Sequence, residues 1–224
     1  MAKLDDAAVI EAWSQNAGPW TAAVRSGDIA SRTLVTNDAI VDAVRSRAPR
    51  SGIDIGCGEG WLVRALGGIA MLGIDAVPGL VEQARQAGGG DFRVLSYEQI
   101  AAGQLQAAAD VAVCNFSLIG KEAVDGLFGA ARTFLRPGGA LIVQTLHPLA
   151  ASGDAAYRDG WREGSWAGFS DDFGAAPPWY FRTFESWVRL YSDNGLRLIE
   201  LREPLHPDTG RPASVIMIGE VTLS

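Results

Sequence analysis

The apolar residues before Pro49 recur at helical spacing, which predicts N-terminal helices. Pro19 and Gly27 are expected to interrupt the first helical stretch. A second helix begins at Thr36 or Asn37, because either side chain can cap a helix, and Pro49 ends it. The two predicted apolar faces consist of Val9, Ile10 and Trp13, and of Ile40, Val41 and Val44.

From residue 52 onward, short apolar runs alternate with helical patterns. This alternation predicts right-handed βαβ units and a parallel sheet that is covered by helices on both faces. The predicted strands are Gly52–Ile55, Met71–Ile74, Phe92–Leu95, Asp110–Asn115 and Ala140–Thr145. The predicted helices are Trp61–Leu66, Pro78 to Gln86, and a stretch from Val124 to Leu135 that Pro137-Gly138-Gly139 ends.

Residues 148–182 break this rhythm, since they are rich in Gly, Asp, Trp, Tyr and Pro and have no period. A long insertion after strand five predicts a lid or a substrate-binding loop; the alternative is a surface loop that packs its own aromatic residues. Helical spacing resumes from Phe184 to Tyr191, with Gly195 as the C-terminal cap. Leu196–Leu201 and Ser214–Val221 then predict two antiparallel strands at a sheet edge.

The composition fits one soluble domain, with 48% hydrophobic and 20% charged residues. The formal charge of −7 and the absence of a Lys/Arg run argue against nucleic acid as a partner. The start of the chain is acidic and no apolar run reaches bilayer length, so we expect a cytoplasmic protein with no membrane partner. Cys57 and Cys114 have neither disulfide nor metal-ligand spacing, and we expect both to be buried thiols.

Residues 53–60, Ile-Asp-Ile-Gly-Cys-Gly-Glu-Gly, form the most informative segment. They predict the end of a buried strand, followed by a glycine turn that a ligand can approach closely. Asp75 follows one βα unit later, where a carboxylate can accept hydrogen bonds from ribose hydroxyls. Together they predict an adenosine-containing cofactor. The G-x-G-x-G spacing differs from the dinucleotide G-x-G-x-x-G, and no Lys-Ser/Thr follows as in a P-loop.

Four ordered motifs between about residues 35 and 145 resemble those of class I S-adenosylmethionine-dependent methyltransferases. They are Asp54-Ile-Gly-Cys-Gly-Glu-Gly60, Gly73-Ile-Asp75, Asp110 at the start of an apolar strand, and Leu135-Arg-Pro-Gly-Gly139. The resemblance implies S-adenosyl-L-methionine as the cofactor. It also implies a Rossmann-like α/β fold, with a seven-stranded, mostly parallel sheet and an antiparallel strand seven between strands five and six.

On this basis, residues 1–224 form a single methyltransferase domain with four parts. These are an N-terminal helical cover (1–48), a cofactor-binding core (49–147), a lid or substrate insertion (148–182), and a C-terminal helix with a strand pair (183–224). We expect a monomer or a homodimer.

The resemblance implies cofactor contacts for a set of residues. Asp54 would organise the glycine loop and the cofactor's amino group, and Asp75 would accept both ribose hydroxyls. Arg32 can meet the cofactor's carboxylate, and Trp20 can close over the sulfonium by cation–π attraction. Packing of the N-terminal tryptophans against the sheet is the alternative. The remaining expected contacts are Gly56, Cys57, Gly58, Gly60, Ala76, Ser96, Tyr97, Asn115 and Phe116; for Ser96 and Tyr97, purely structural roles remain equally open.

Methyl transfer requires an acceptor held in line, exclusion of water and often a base. His147 directly follows strand five and is the predicted catalytic base; a structural histidine bonded within a loop is the alternative. His206 is expected to structure its own loop. No His/Asp/Glu cluster has metal-ligand spacing, so no metal is expected.

Substrate contacts are predicted for Trp13, Tyr180 and Arg182. Tyr180 would orient the acceptor and Arg182 would clamp a carboxylate through two hydrogen bonds. Alternatively, Arg182 pairs with Glu185 or Asp171 and fixes the lid.

The function that these residues favour is metal-independent methyl transfer to a small-molecule acceptor. The stretch Cys114-Asn-Phe-Ser117 lacks the Asn/Asp-Pro-Pro-Tyr motif that is typical of base-methylating relatives. Three alternatives stay open: a protein that binds S-adenosylmethionine without catalysis, a methyltransferase that acts on protein side chains, and a NAD-type oxidoreductase.

Overall fold

A seven-stranded sheet is the framework of the computed structural model, which describes residues 3–222. Its strands are β1 (Ser51–Ile55), β2 (Ala70–Asp75), β3 (Asp91–Val94), β4 (Ala109–Asn115), β5 (Leu135–Thr145), β8 (Leu196–Arg202) and β9 (Val215–Val221). The strand order is β3-β2-β1-β4-β5-β9-β8. β9 runs antiparallel to both of its neighbours, β5 and β8, and the other six strands of this sheet share one direction. The predicted Rossmann-like sheet with an antiparallel last strand is therefore confirmed.

Helices cover both faces of the sheet. They are α1 (Asp6–Ser26), α2 (Asn37–Arg45), α3 (Trp61–Ala65), α4 (Pro78–Ala87), α5 (Tyr97–Ala101), α6 (Glu122–Gly129), α7 (Ala131–Phe134), α8 (Pro148–Ser152) and α9 (Phe184–Asp193). A π-helical turn, Arg32–Thr36, precedes α2. None of the helices within residues 3–222 is both long and apolar enough to cross a membrane.

Two apolar cores form because successive strand residues point to opposite faces. Along β4, Val111 and Val113 join the core beneath α2, α3 and α4, whereas Ala112 and Cys114 join the core beneath α6 and α9. These strand side chains are at most 1% exposed. The sheet is therefore buried on both faces, as a parallel sheet with crossover helices requires.

The structure corrects several predicted boundaries. Helix α1 continues through Pro19, because Ala17 packs with Val77 and Leu80 and tertiary packing outweighs the lost backbone bond; it ends at Gly27, whose φ is 78°. The helical stretch after β4 ends at Phe134, and β5 already begins at the next residue. Sequence analysis missed α5, although its Ser-x-x-Gln capping box is a recognisable signal.

The insertion at 148–182 also contains regular structure that its composition does not reveal. Helix α8 opens it, and the strands β6 (Gly160–Arg162) and β7 (Trp179–Phe181) pair as a separate antiparallel ladder. This ladder is non-local, since a 16-residue segment (163–178) separates its strands. Period and turn signals detect tight hairpins rather than such pairings.

Asp110 holds together the edge of the sheet opposite the carboxyl ends of its parallel strands. One carboxylate oxygen accepts hydrogen bonds from the backbone N–H of Arg50 (2.9 Å) and of Ser51 (3.0 Å), and the other pairs with Arg136. The backbone hydrogen bond from Arg50 is the largest of the effects that lower the pKa of Asp110 to about 2. Two of the four sequence motifs, Asp110 and Leu135-Arg-Pro-Gly-Gly139, are thus in contact at the edge opposite the carboxyl ends of the parallel strands. Their contact has a structural role.

We expect Asp110→Asn to lower the free energy of unfolding by about 1–2 kcal/mol at pH 7, because it weakens partly exposed, charge-assisted hydrogen bonds. The native pKa of Asp110 is depressed, so its contribution is complete above about pH 4 and is lost as the pH falls through about 2. Urea unfolding from pH 7 to pH 3 should therefore show a shrinking difference from wild type. Asp38→Asn, at an exposed side chain, is the control. Equal free energies of unfolding for Asp110→Asn and wild type at pH 7 would contradict the prediction.

Candidate active site

A cavity of about 550 Å³ lies at the carboxyl ends of the parallel strands. This volume is within the range of small-molecule sites, about 300–1,000 Å³. The tertiary structure brings thirteen of the predicted site residues to its wall: Trp13, Trp20, Arg32, Gly56, Cys57, Gly58, Asp75, Ala76, Tyr97, Asn115, Phe116, Tyr180 and Arg182. Four predicted residues do not line it: Asp54, Gly60, Ser96 and His147.

The glycine loop is fastened to the end of β2. The backbone N–H groups of Gly56 and Cys57 donate to the carbonyl of Ile74, at 2.7 and 2.9 Å. The two carboxylate oxygens of Asp75 accept from the N–H of Gly58 and of Val77, both at 2.9 Å. Burial raises the pKa of Asp75, and these hydrogen bonds oppose the shift. Asp75 therefore shapes the loop, and each of its oxygens retains a lone pair toward the cavity.

The three glycines of this loop have different physical reasons to lack a side chain. A Cβ at Gly56 would lie 2.3 Å from Cβ of Ser117, and one at Gly60 would lie 2.7 Å from the Phe92 ring, so packing within the protein excludes both. At Gly58 the nearest atom would be Nε1 of Trp20, 3.6 Å away. Gly56 and Gly58 line the cavity and Gly60 does not, so Gly60 departs from the expectation that all three glycines face a ligand. Only at Gly58 would an added Cβ find space on the cavity side.

Two buried groups beside the loop, Asp54 and Arg32, form no ion pair within residues 3–222; Nε of Arg32 donates to the neutral Oδ1 of Asn37 at 3.3 Å. Burial, reinforced by the charge of Asp75, raises the pKa of Asp54 to about 7, and one oxygen of Asp54 has no hydrogen-bond partner. Burial lowers the pKa of Arg32 to about 10. The Arg32 guanidinium lies 4.9 Å from the ring centroid of Trp61 and 5.6 Å from that of Trp20.

The π-helical turn explains how Arg32 reaches this position. Such turns are rare and occur frequently at functional sites. The turn ends at Thr36, whose carbonyl accepts a hydrogen bond from the buried side chain of Gln144 at the end of β5 (3.1 Å). The turn is thereby anchored to the sheet while Arg32 faces the cavity.

The insertion covers the cavity and is fastened to α1. Asn16 of α1 is fully buried; it accepts a hydrogen bond from the N–H of Gly174 (2.7 Å) and donates one to the carbonyl of Ala175 (3.0 Å). Trp166 of the insertion meets Trp13 edge to face, with ring centroids 5.7 Å apart, and Trp13 meets Trp20 in the same way at 5.0 Å. Helix α1 and the insertion therefore form one aromatic roof.

Arg182 is already bound within the protein, contrary to the prediction of a substrate clamp. Its guanidinium donates to the carbonyls of Gly120 (2.8 Å) and Lys121 (3.1 Å) and to the carboxylate of Asp125 (3.1 Å). The side chain is only 3% exposed. Its acidic partner is Asp125, rather than Glu185 or Asp171 as the structural alternative had it. Arg182 thus holds the loop between β4 and α6.

His147 is not among the residues that line the cavity, so the structure does not support its prediction as the catalytic base. It directly precedes α8, and its Nε2 contacts the carboxylate of Glu203 at 2.8 Å. Its ring packs edge to face on Phe184, with centroids 5.1 Å apart. This arrangement agrees with a structural histidine bonded to a loop.

Ser96 also has a structural position: its hydroxyl caps α5 by accepting from the N–H of Gln99. Tyr97 does line the cavity, and its hydroxyl donates to the carbonyl of Ser117 at 3.0 Å. Two wall residues that sequence reasoning missed, Glu98 and Ile119, lie on α5 and on the loop after β4. Recognition of α5 from its capping box would have pointed to Glu98.

Comparison with known proteins gives a consistent result. A family model described as a methyltransferase domain matches residues 32–201, most of the chain. No curated protein matches the chain significantly.

Solved structures share the fold at low sequence identity. An S-adenosylmethionine-dependent methyltransferase from Mesorhizobium loti is 22% identical, with a TM-score of 0.61 over 80% of this chain and 97% of that one. The 1,6-didemethyltoxoflavin-N1-methyltransferase of Burkholderia thailandensis, with 1,6-didemethyltoxoflavin and S-adenosylhomocysteine bound, is 16% identical (TM-score 0.63; 100% and 93% covered). The DhpI-SAH complex is 13% identical (TM-score 0.66; 100% of both chains). The chain belongs to this methyltransferase-domain family, and its fold is that of the class I S-adenosylmethionine-dependent methyltransferases.

Proposed function

We propose that this enzyme binds S-adenosylmethionine in the cavity and transfers its methyl group to a small-molecule acceptor without a metal ion. One observation carries the proposal: polar groups with an unmatched charge or an unpaired atom converge on the glycine loop. They are the guanidinium of Arg32, whose only side-chain partner within residues 3–222 is the neutral amide of Asn37, and unpaired side-chain oxygens of Asp54 and Asn115. Unpartnered buried polar groups are costly, so a ligand that satisfies them gains binding free energy.

The residues present fit this cofactor. Arg32 offers a counter-charge for its carboxylate, and the side-chain oxygen of Asn115 can accept from its ammonium group. Asp54, which does not line the cavity, would act on the ammonium group only through its charge. The free lone pairs of Asp75 suit ribose hydroxyls. Tyr97 and Ala76 provide a wall beside the adenine, and Cys57 and Phe116 complete the surface around the cofactor. Trp20 lies over Gly58, where its ring can attract a sulfonium.

When bound, the cofactor supplies an electrophilic methyl group on a sulfonium. The chain contributes position and the exclusion of water. The roof that Asn16 fastens over the cavity would keep out solvent, and the loop that Arg182 and Asp125 hold would fix one wall against which the acceptor rests. His147 lies between the wall residues Leu146 and Pro148, and its contact with Glu203 would help to hold that part of the wall.

The proposed organisation is one domain in which residues 1–48 cover the cofactor, 49–147 bind it, 148–182 form the lid and 183–224 complete the sheet. The shared cavity supports a single domain, because its wall draws on all four parts, the last through Trp187.

Calorimetric titration and labelled-methyl transfer separate this proposal from its alternatives. S-adenosylmethionine should bind and NADH should not; the reverse would indicate an oxidoreductase. Label from the cofactor should appear in the small-molecule fraction of an extract. Label in protein bands would indicate a protein-directed enzyme, and cofactor binding without any labelled product would indicate a non-catalytic binding protein.

We expect Asp75→Asn to weaken S-adenosylhomocysteine binding by about 1–3 kcal/mol, because a charged acceptor for the ribose hydroxyls is lost. Calorimetry gives the dissociation constant, and thermal unfolding checks that the variant is folded. Asp91→Asn, the same change at the exposed start of β3, is the matched control. An affinity of Asp75→Asn equal to that of the control would contradict the assignment.

Gly58→Ala tests whether the loop backbone lies against a ligand. Gly58 (φ 57°) and Gly68 (φ 96°) both have left-handed backbones and no protein atom within 3.5 Å of an added Cβ, but only Gly58 lines the cavity. Each substitution should cost about 1–2 kcal/mol of stability. Only Gly58→Ala should also weaken S-adenosylhomocysteine binding, by about tenfold or more. Equal affinities for the two variants would show that the ligand does not approach Gly58.

A further inference from the structure

The cavity has a second part beyond the glycine loop. The proposed cofactor contacts come mainly from the ends of β1, β2 and β3. The acceptor end, as defined here, is formed instead by α1, by the segments after β4 and β5 and by the insertion. Its apolar residues are Ile10, Trp13, Leu146, Pro148, Trp179 and Tyr180.

The charges around the acceptor end are matched within the protein. Both oxygens of Asp6 accept backbone N–H groups, from Lys121 at 2.7 Å and from Ala123 at 2.9 Å. Lys121 and Arg182 both pair with Asp125. Two cations thus face two carboxylates. An anionic acceptor would find no unmatched cation here, since Arg32 lies beside the glycine loop.

The acceptor end also offers little attraction for a cationic acceptor. Lys121 lies 5.7 Å and Arg182 lies 4.9 Å from the centroid of the Tyr180 ring, so two cations already occupy the surroundings of that aromatic face. That face of Tyr180 is therefore taken. Arg162 lies 5.5 Å from the ring centroid of Trp179, and Trp13 already packs edge to face with Trp20 and Trp166. Both observations favour an uncharged acceptor.

No carboxylate at the acceptor end within residues 3–222 is free of protein partners; the buried Nδ1 of His147 has no partner, but His147 does not line the cavity. Neither histidine lines the cavity, and its wall carries four carboxylates. Asp6 caps α6, Glu59 pairs with Arg25 and Arg64, and Asp75 holds the glycine loop. The fourth, Glu98, is exposed on α5. The acceptor must therefore lose its proton without help, or react through a lone pair. Aromatic hydroxyls, with pKa values near 10, ionise far more readily than aliphatic ones.

We propose that the methyl acceptor is an uncharged, planar aromatic or heteroaromatic molecule that is methylated on a hydroxyl oxygen or a ring nitrogen. This inference rests on the proposed function. The acceptor's lone pair forms the bond to the methyl carbon while the carbon–sulfur bond breaks with its electron pair retained by sulfur, and the acceptor's proton leaves to water. The buried Nε1–H of Trp13, which has no partner, can donate to a carbonyl or ring nitrogen of such a molecule.

Three matched ligands test the inference: 2-naphthol, its anionic analogue 6-hydroxy-2-naphthoate, and its saturated analogue decahydro-2-naphthol. Binding is measured by tryptophan fluorescence on the full chain, saturated with S-adenosylhomocysteine. We expect 2-naphthol to bind about tenfold or more tightly than both analogues, because only it is uncharged and aromatic. Stronger or equal binding of either analogue would overturn the inference. Failure of S-adenosylhomocysteine to bind would instead overturn the proposed function on which it rests.

Two tryptophan variants test whether 2-naphthol binds at the acceptor end. Trp13→Leu should weaken 2-naphthol binding by about tenfold and S-adenosylhomocysteine binding by a smaller factor, because Trp13 also supports Trp20. Trp161→Leu is the matched control, because Trp161 packs edge to face on the cavity residue Tyr180 but does not itself line the cavity. Unchanged 2-naphthol affinity in a folded Trp13→Leu protein, or an equal loss in Trp161→Leu, would place the ligand elsewhere and contradict the inference.

Discussion

The carboxylate of Asp75 is the constraint on which the ligand side of this molecule depends. By accepting the N–H groups of Gly58 and Val77, it joins the loop after β1 to the loop after β2 across two adjacent strands. A buried carboxylate without such donors would be strongly disfavoured in its ionised form. The same two hydrogen bonds therefore keep the charge in place and hold Gly58 open toward the cavity.

The roof over the cavity depends on a second set of buried polar contacts. Glu59, in the glycine loop itself and 1% exposed, pairs with Arg25 at the end of α1 and with Arg64 of α3. Asn16, which also lies in α1, binds the backbone of the insertion. Loop, N-terminal helix and insertion are thus joined through side chains whose removal would leave buried polar groups unpaired.

The hydrogen-bond and ion-pair partners of the cavity residues distinguish those that support the site from those that can bind a ligand. Arg182, Asp6 and Glu59 line the cavity, yet protein groups already satisfy them. Arg32, Asn115 and Trp13 also line it and retain unmatched charge or unpaired polar atoms. Because desolvated polar groups are costly, the second set is where binding free energy is available. Residue type alone does not distinguish Arg182 from Arg32.

The sequence by itself determined the alternating sheet, the glycine loop with Asp75, and hence the family and the proposed cofactor. These features are local, because short segments of the chain are enough to recognise them. They are the apolar period, the backbone freedom of glycine and a carboxylate one βα unit away. Only the tertiary structure decided that His147 turns to Glu203, that Arg182 is paired with Asp125 and that residues 160–162 and 179–181 join in a ladder. Those outcomes depend on which distant groups meet, because a side chain's hydrogen bonds and charge partners are set by packing rather than by its neighbours in sequence.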